Sequence, residues 1–272
     1  MTTFHLRDAD TYRAEYGRLA DALGVPPVAP APDEVEFLSE VTTPGRFPFG
    51  MMPAPDLFFA GGVASLLRPR LEVEIGTASG FSAAVLAKVI MLRWQESGEL
   101  PTGPILHTID LKAEDQRDEI RPVGYAIERV TPELRAQIGV HPLRDSSHAR
   151  ELVRGSELTL AFVDGNHQHP WPLHDVLQLQ SLMKSGWIIL HDINLPAISG
   201  QAYAPRFGAK YVFDFWPAEK VGAGNIGAIK LPDDRRSLGD FVARLRELPS
   251  EVSPNGWTKR WREIDALVKK FS

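Results

Sequence analysis

From Leu71 onward the chain alternates short apolar runs with amphipathic stretches, and this alternation limits its fold more than any other feature. LEVEIG, ILHTIDL, IGVHPLRD, LTLAFVDG and WIILHDIN read as strands. Between them FSAAVLAKVIMLRWQESG, EDQRDEIRPVGYAIERV, SHARELVRG and WPLHDVLQLQSLMKSG read as helices, the second broken near Pro122. Such a chain builds a mainly parallel sheet covered on both faces. Ligands of these sheets bind beyond the carboxyl ends of the strands. Four strands end in residues capable of chemistry: Glu74 with Gly76, Asp110, Asp164, and His191 with Asp192.

The flanks are of a different kind. Residues 1–24 predict a polar, amphipathic helix stopped by Gly24, and PPVAPAPDE a stiff, extended connector. The Pro- and aromatic-rich stretch from Val35 to Pro55 is expected to be an ordered arm, with RFPFGMMPAPD placed to close over a ligand. Asp56 is positioned to cap a helix through LFFAGGVASLL, stopped at Arg68-Pro69. After the fifth strand, LPAISGQAYAPRFGA, with Tyr203, Arg206 and Phe207, is either a lid over an acceptor or a surface loop. YVFDFW and NIGAIKLP predict a late antiparallel strand pair, and LGDFVARLRELP and GWTKRWREIDALVKKFS two amphipathic helices. Trp257, Trp261, Ile264, Val268 and Phe271 recur at helical spacing in the last of these, a stripe for packing or for a subunit contact. The expected organisation is an arm over residues 1–55, a ligand-binding sheet domain over 56–232 and a helical tail over 233–272.

Composition narrows the chemistry. The 272 residues include no cysteine, which excludes thiolate metal sites, iron–sulfur clusters and Cys nucleophiles. A formal net charge of −5 leaves no electrostatic footprint for nucleic acid. No apolar run is long enough for a membrane span and the start carries no signal-peptide pattern, so a cytoplasmic, soluble protein without a membrane partner is expected.

Gly76, Ala78 and Gly80 follow the first strand at alternate positions, small enough for backbone amides to approach a ligand closely. The dinucleotide pattern GxGxxG is not met, since the third small residue comes one position early. Asp110, at the tip of the second strand, is placed to accept bonds from both hydroxyls of a ribose. Asp145 and Ser146, after the third strand, could read an adenine amino group or cap the next helix. FVDGNHQHPWPLHDV then packs Asp164, His167, His169, His174 and Asp175 together, and WIILHDIN adds His191, Asp192 and Asn194. Adjacent fourth and fifth strands would bring Asp164 and Asp192 to one site, able to hold a divalent ion with or without His191. Mg²⁺ and Mn²⁺ suit these ligands, and such an ion could lower the pKa of a substrate hydroxyl. His167, on the loop beyond the fourth strand, is the candidate general base. His169 and His174 are expected to be supporting residues.

Taken together, residues 71–82, HTIDL, RDSSH, FVDGNHQHPWPLHDV and WIILHDIN resemble class I S-adenosylmethionine-dependent methyltransferases. More narrowly, the D-G-x-H and H-D motifs resemble the branch of macrolide and sugar O-methyltransferases and cephalosporin-hydroxylase-like proteins. The resemblance runs from about Leu71 to Leu231. It implies a Rossmann-like, doubly wound α/β fold and S-adenosylmethionine as cofactor. The cofactor would be bound by Glu74, Gly76, Thr77, Ala78, Ser79, Gly80, Asp110, Asp145, Ser146 and Asp164. It also implies that His167 serves as base and that Asp164, His191 and Asp192 hold any metal. The acceptor would be a small hydroxylated molecule, and a homo-oligomer is open. A non-catalytic binder of S-adenosylmethionine or a nucleoside, and a metal-dependent hydrolase or oxygenase using the Asp/His cluster, are the alternatives.

Overall fold

A computed structural model describes residues 2–48, 52–115, 119–195, 207–250 and 254–271. The expected alternation forms a parallel array. Strands β2 (Glu72–Ile75), β3 (Leu106–Asp110), β6 (Ile138–Pro142), β7 (Leu160–Val163) and β8 (Trp187–His191) all run the same way. Between them lie α4 (Phe81–Glu96), the short α5 (Ile127–Val130) and α6 (Ala149–Leu152), and α7 (Trp171–Gln180). A late hairpin of β9 (Lys220–Ala223) and β10 (Ile226–Lys230) adds to β8, and the N-terminal β1 (Thr2–Thr3) adds to β9. The order is β1-β9-β10-β8-β7-β2-β3-β6, in which β10 alone runs against the rest. Chain order reverses at β2, which lies between β3 and β7, so a crevice opens beyond the ends of β2 and β7.

Side chains alternate across the central strands as a two-residue period requires. Val73, Ile75, Ala161, Val163, Ile188 and Leu190 point into one core, with α7, α8 (Gly208–Phe215), α9 (Ser237–Arg246) and α10 (Pro254–Val268). Leu160, Phe162, Trp187 and Ile189 point into the other, with α1 (Ala9–Leu23), α2 (Pro32–Val41), α3 (Ala54–Leu67) and α4. The N-terminal helices therefore share a core with the sheet. A buried polar link joins them: Tyr12 and Ser65 donate to the two oxygens of Glu34, and the Tyr16 and Ser65 hydroxyls lie 2.6 Å apart.

Several local expectations need correction. YVFDFW is not a strand but most of α8. Gly208, Ala209, Val212 and Phe213 are its buried residues, a helical spacing, and the Phe213 ring lies over the paired Gly222 and Gly227 of the hairpin. A Cβ on Gly227 would stand 2.3 Å from that ring, so the glycines make the slot and α8 fills it. The hairpin's first strand comes instead from Lys220–Ala223. The helix expected across EDQRDEIRPVGYAIERV is reduced to α5, preceded by a two-residue pairing of β4 (Glu114–Asp115) with β5 (Arg121–Pro122). Pro122 supplies no N–H, and the Gly124 and Ala126 amides donate to Ala78 and Ser79 rather than to a helix of their own. The end of the Pro-rich connector enters α2, where Pro32 takes the first position, one that suits its fixed φ. Residues 49–51 of the arm and 196–206 of the stretch expected as a lid lie outside the described residues.

Candidate functional site

A cleft of about 990 Å³ occupies the crevice beyond the carboxyl ends of the strands. Gly76, Ala78, Asp110, Asp145, Ser146, Asp164, His167, His191 and Asp192 all line it. Residues expected to be functional at five strand ends are thus brought to one place.

The glycine turn forms one wall. Gly76 has φ 106°, and a Cβ there would stand 2.2 Å from the carbonyl oxygen of Asp164. Only glycine lets the turn after β2 lie against the end of β7. Gly76→Ala is therefore expected to displace Asp164 and lower the denaturation midpoint, which urea titration will measure. Ala78 is also left-handed, at φ 45°, and its N–H donates to Asp110 Oδ2 at 2.9 Å. The Lys112 N–H donates to the other oxygen at 2.8 Å. Two backbone donors thus fix the Asp110 carboxylate at the cleft.

Four other residues of the expected cofactor set do not line the cleft. Glu74 is fully buried, and its two oxygens accept from Ser82 and Thr108, each at 2.5 Å. Its task is to tie β2 to α4 and β3. Thr77 is buried with its hydroxyl 2.7 Å from that of Thr108, while Ser79 Oγ accepts from the Phe81 N–H. Gly80, at φ 81°, leads into α4, and a Cβ there would meet Gly124 at 2.8 Å.

Burial pushes the Glu74 carboxyl up to about 8. A carboxyl raised on folding binds its proton more tightly in the native state. It therefore stabilises fully below the ordinary carboxylate value, and that contribution is lost as pH rises through about 8. Denaturation midpoints measured from pH 5 to pH 9 should fall for the native sequence and fall less for Glu74→Gln, whose amide stays neutral. Equal declines would remove Glu74 as a source.

Asp145 caps the turn after β6, its Oδ1 accepting from the Ser147 N–H at 3.1 Å and from the Ser147 hydroxyl at 2.5 Å. Burial opposes ionisation there, but these bonds and the nearby Arg260 charge outweigh it and hold the carboxyl below its usual value. The Ser146 hydroxyl donates to Asp175 Oδ1 at 2.6 Å, which ties the same turn to α7.

At the opposite wall, Asp164, His167 and Asp192 form a group whose potential ligand atoms all lie within 4.8 Å of one another. His167 Nε2 lies 3.1 Å from Asp192 Oδ2, and Asn225, in the β9–β10 turn, donates to Asp192 Oδ1 at 2.6 Å. His191 stands differently from the expected metal-ligand role. Its Nδ1 is 3.1 Å from Asp164 Oδ1 and its Nε2 is 3.0 Å from Asp56 Oδ2, so both ring nitrogens are engaged by carboxylates. Burial disfavours the charged ring, but Asp164, Asp56 and Asp192 override it and raise its pKa well above the ordinary value. His191 is thus a buried imidazolium clamped between two acids.

Asp56 was expected to cap a helix. Pro53 takes that position, and Asp56 sits in the first turn of α3 with its side chain buried against His191. The sequence held one signal of this: an acid inside a helix that is apolar on every side needs a partner. Asn225 carried no such signal. His169 is buried with Nε2 2.9 Å from the Leu245 carbonyl oxygen and does not line the cleft. No helix among the described residues is long and apolar enough to cross a membrane.

Comparison with curated proteins finds no match. Among solved structures, the chain is similar to an O-methyltransferase from Bacillus cereus in complex with SAH (18% identity, 82% of this chain and 98% of that one, TM-score 0.45). It is also similar to the O-methyltransferase TomG from Streptomyces achromogenes in complex with SAM (16% identity, 81% and 88%, TM-score 0.45). A third is CalS11, the calicheamicin methyltransferase (12% identity, 81% and 92%, TM-score 0.49). Residues 73–193 match the family model of a methyltransferase domain, a span from β2 to just past β8 that holds most of the cleft lining but not Pro53, Leu195 or Asn225. Residues 73–193, which carry most of the crevice lining, are thus similar to a methyltransferase domain.

Proposed function

We propose that the chain transfers a methyl group from S-adenosylmethionine to a hydroxyl of a small molecule, of sugar or natural-product type. The observation that carries this reading is one cleft with two equipped ends. Asp110, preset by two backbone donors, suits a ribose, and the Asp164, His167 and Asp192 group suits a reacting hydroxyl. The sulfonium of the cofactor supplies the activation for displacement. What remains for the protein is to hold the donor, position the acceptor, exclude water and remove one proton. With its Nε2–H donated to Asp192, His167 keeps Nδ1 as the acceptor of the hydroxyl proton. Asn225 steadies Asp192 from behind.

A second reading of the same group is favoured by its convergence. Two carboxylates and one imidazole within 4.8 Å fit Mn²⁺, Fe²⁺ or Zn²⁺ better than Mg²⁺, whose preference is for oxygen. Asp164, His167 and Asp192 would hold the ion, and His191 would clamp Asp164 from outside. A bound cation would lower the pKa of the acceptor hydroxyl. A ring nitrogen of His167 that binds the ion is no longer free to take a proton, so on this reading His167 is a ligand rather than the base.

Methyl transfer from labelled S-adenosylmethionine to a panel of hydroxylated acceptors tests both readings, run in chelator and with added Mn²⁺. Activity that persists in chelator and falls roughly 10²- to 10⁴-fold in His167→Ala supports the base. Loss in chelator with recovery in Mn²⁺ makes His167 a ligand. Failure to bind S-adenosylmethionine at millimolar concentration would end the proposal.

A further inference from the structure

We infer that the C-terminal helix α10 backs a nucleobase subsite, with Arg260 as a positioning residue for Trp171 and Asp145 on the cleft wall. The inference rests on the cofactor reading above and names what would hold the cofactor's adenine.

Arg260 lies beyond the span that matches the methyltransferase-domain model, yet it is buried against that span. Its guanidinium carbon stands 3.9 Å from the centre of the Trp171 ring, a close cation–π stack. Its Nη1 is 2.8 Å from Glu263 Oε2, 3.1 Å from each ring nitrogen of His174 and 3.6 Å from Asp145 Oδ2. A guanidinium cannot shed its charge, so its burial depends on these partners. Glu263 comes from its own helix, whereas Trp171 and His174 belong to α7 and Asp145 to the turn after β6. One buried cation therefore joins three elements.

Trp171, Asp145 and Ser146 line the cleft and Arg260 does not. The cation covers one face of the indole and leaves the indole, not the charge, to meet the ligand. Asp145 has Oδ1 occupied by Ser147, so Oδ2, the oxygen nearer Arg260, remains for an exocyclic amino group. A flat aromatic platform beside a fixed acceptor suits a base that carries an amino group, such as adenine, over one that carries a carbonyl there.

Calorimetry on the full chain tests this with S-adenosylhomocysteine and its hypoxanthine analogue, S-inosylhomocysteine. Arg260→Met should weaken S-adenosylhomocysteine about tenfold and cut the preference for it over the inosyl compound at least fivefold. Arg260→Lys, which keeps the charge but not the planar stack, should fall between. Trp171→Leu should weaken both ligands about tenfold with the preference kept, and it serves as the test if Arg260→Met does not fold. Binding by Arg260→Met within twofold of the native chain would overturn the inference. So would an equal loss of both ligands with a lower melting temperature, which marks a structural role only, or unchanged binding by Trp171→Leu. If the native chain itself binds neither ligand, the cofactor reading fails and this inference with it.

Discussion

Asp110→Ala is expected to weaken S-adenosylhomocysteine binding by about 100-fold or more. The carboxylate is held in place before any ligand arrives, since the Ala78 and Lys112 amides donate to its two oxygens. Each oxygen keeps a lone pair for a ribose hydroxyl. A hydrogen bond to a charged group contributes roughly 1.5–3 kcal/mol, and about 1.4 kcal/mol is a tenfold change in affinity. Two such bonds therefore account for at least about two decades. Asp110→Asn, which keeps one oxygen acceptor, should lose less. Calorimetric titration reads both variants, and an Asp110→Ala dissociation constant within threefold of the native value would remove Asp110 from the binding site.

The second large effect is on stability. Asp56→Ala leaves the buried His191 ring with one of its two clamping carboxylates gone. Removing one partner of a buried ion pair costs roughly 3–5 kcal/mol when the other charge is left alone. Here Asp164 still stands 3.1 Å from the ring, so a loss at the lower end, about 3 kcal/mol, is expected. Asp56 and His191 lie 135 positions apart and their side chains are only 3% and 9% exposed, so solvent cannot replace the contact. Guanidinium denaturation should show the loss directly. Asp56→Asn, which retains an oxygen acceptor at similar volume, should lose less. A midpoint unchanged in Asp56→Ala would mean that the acid adds nothing to the fold.

Much of this site could be read in one dimension because each strand ends in its own chemistry. Gly76, Asp110, Asp145, Asp164, His167 and Asp192 follow apolar runs by one to four residues, and a parallel sheet delivers all such ends to the same edge. Glu74 shows the limit of that rule. Its position at a strand end suggested a ligand, but a two-residue period turned it into the core, where Ser82 and Thr108 take both oxygens. YVFDFW misled for a related reason. Its aromatic and β-branched residues suit a strand, but packing over the Gly222–Gly227 pair favours a helix there.

Local sequence patterns specify the sheet, its parallel sense, the glycine turn and the set of acids and histidines that could meet at its edge. Periodicity and turn chemistry act over a few residues, so local composition records them. Which groups are paired and which are left facing the cleft depends on long-range packing. His191 passed from the expected metal ligands to a clamp because Asp56, on a helix far earlier in the chain, occupies its second nitrogen. Asn225 and Arg260 likewise took their places from contacts of the late hairpin with Asp192 and of the last helix with α7. Those contacts depend on strand order and on the packing of distant elements, and no local pattern in the chain encodes them.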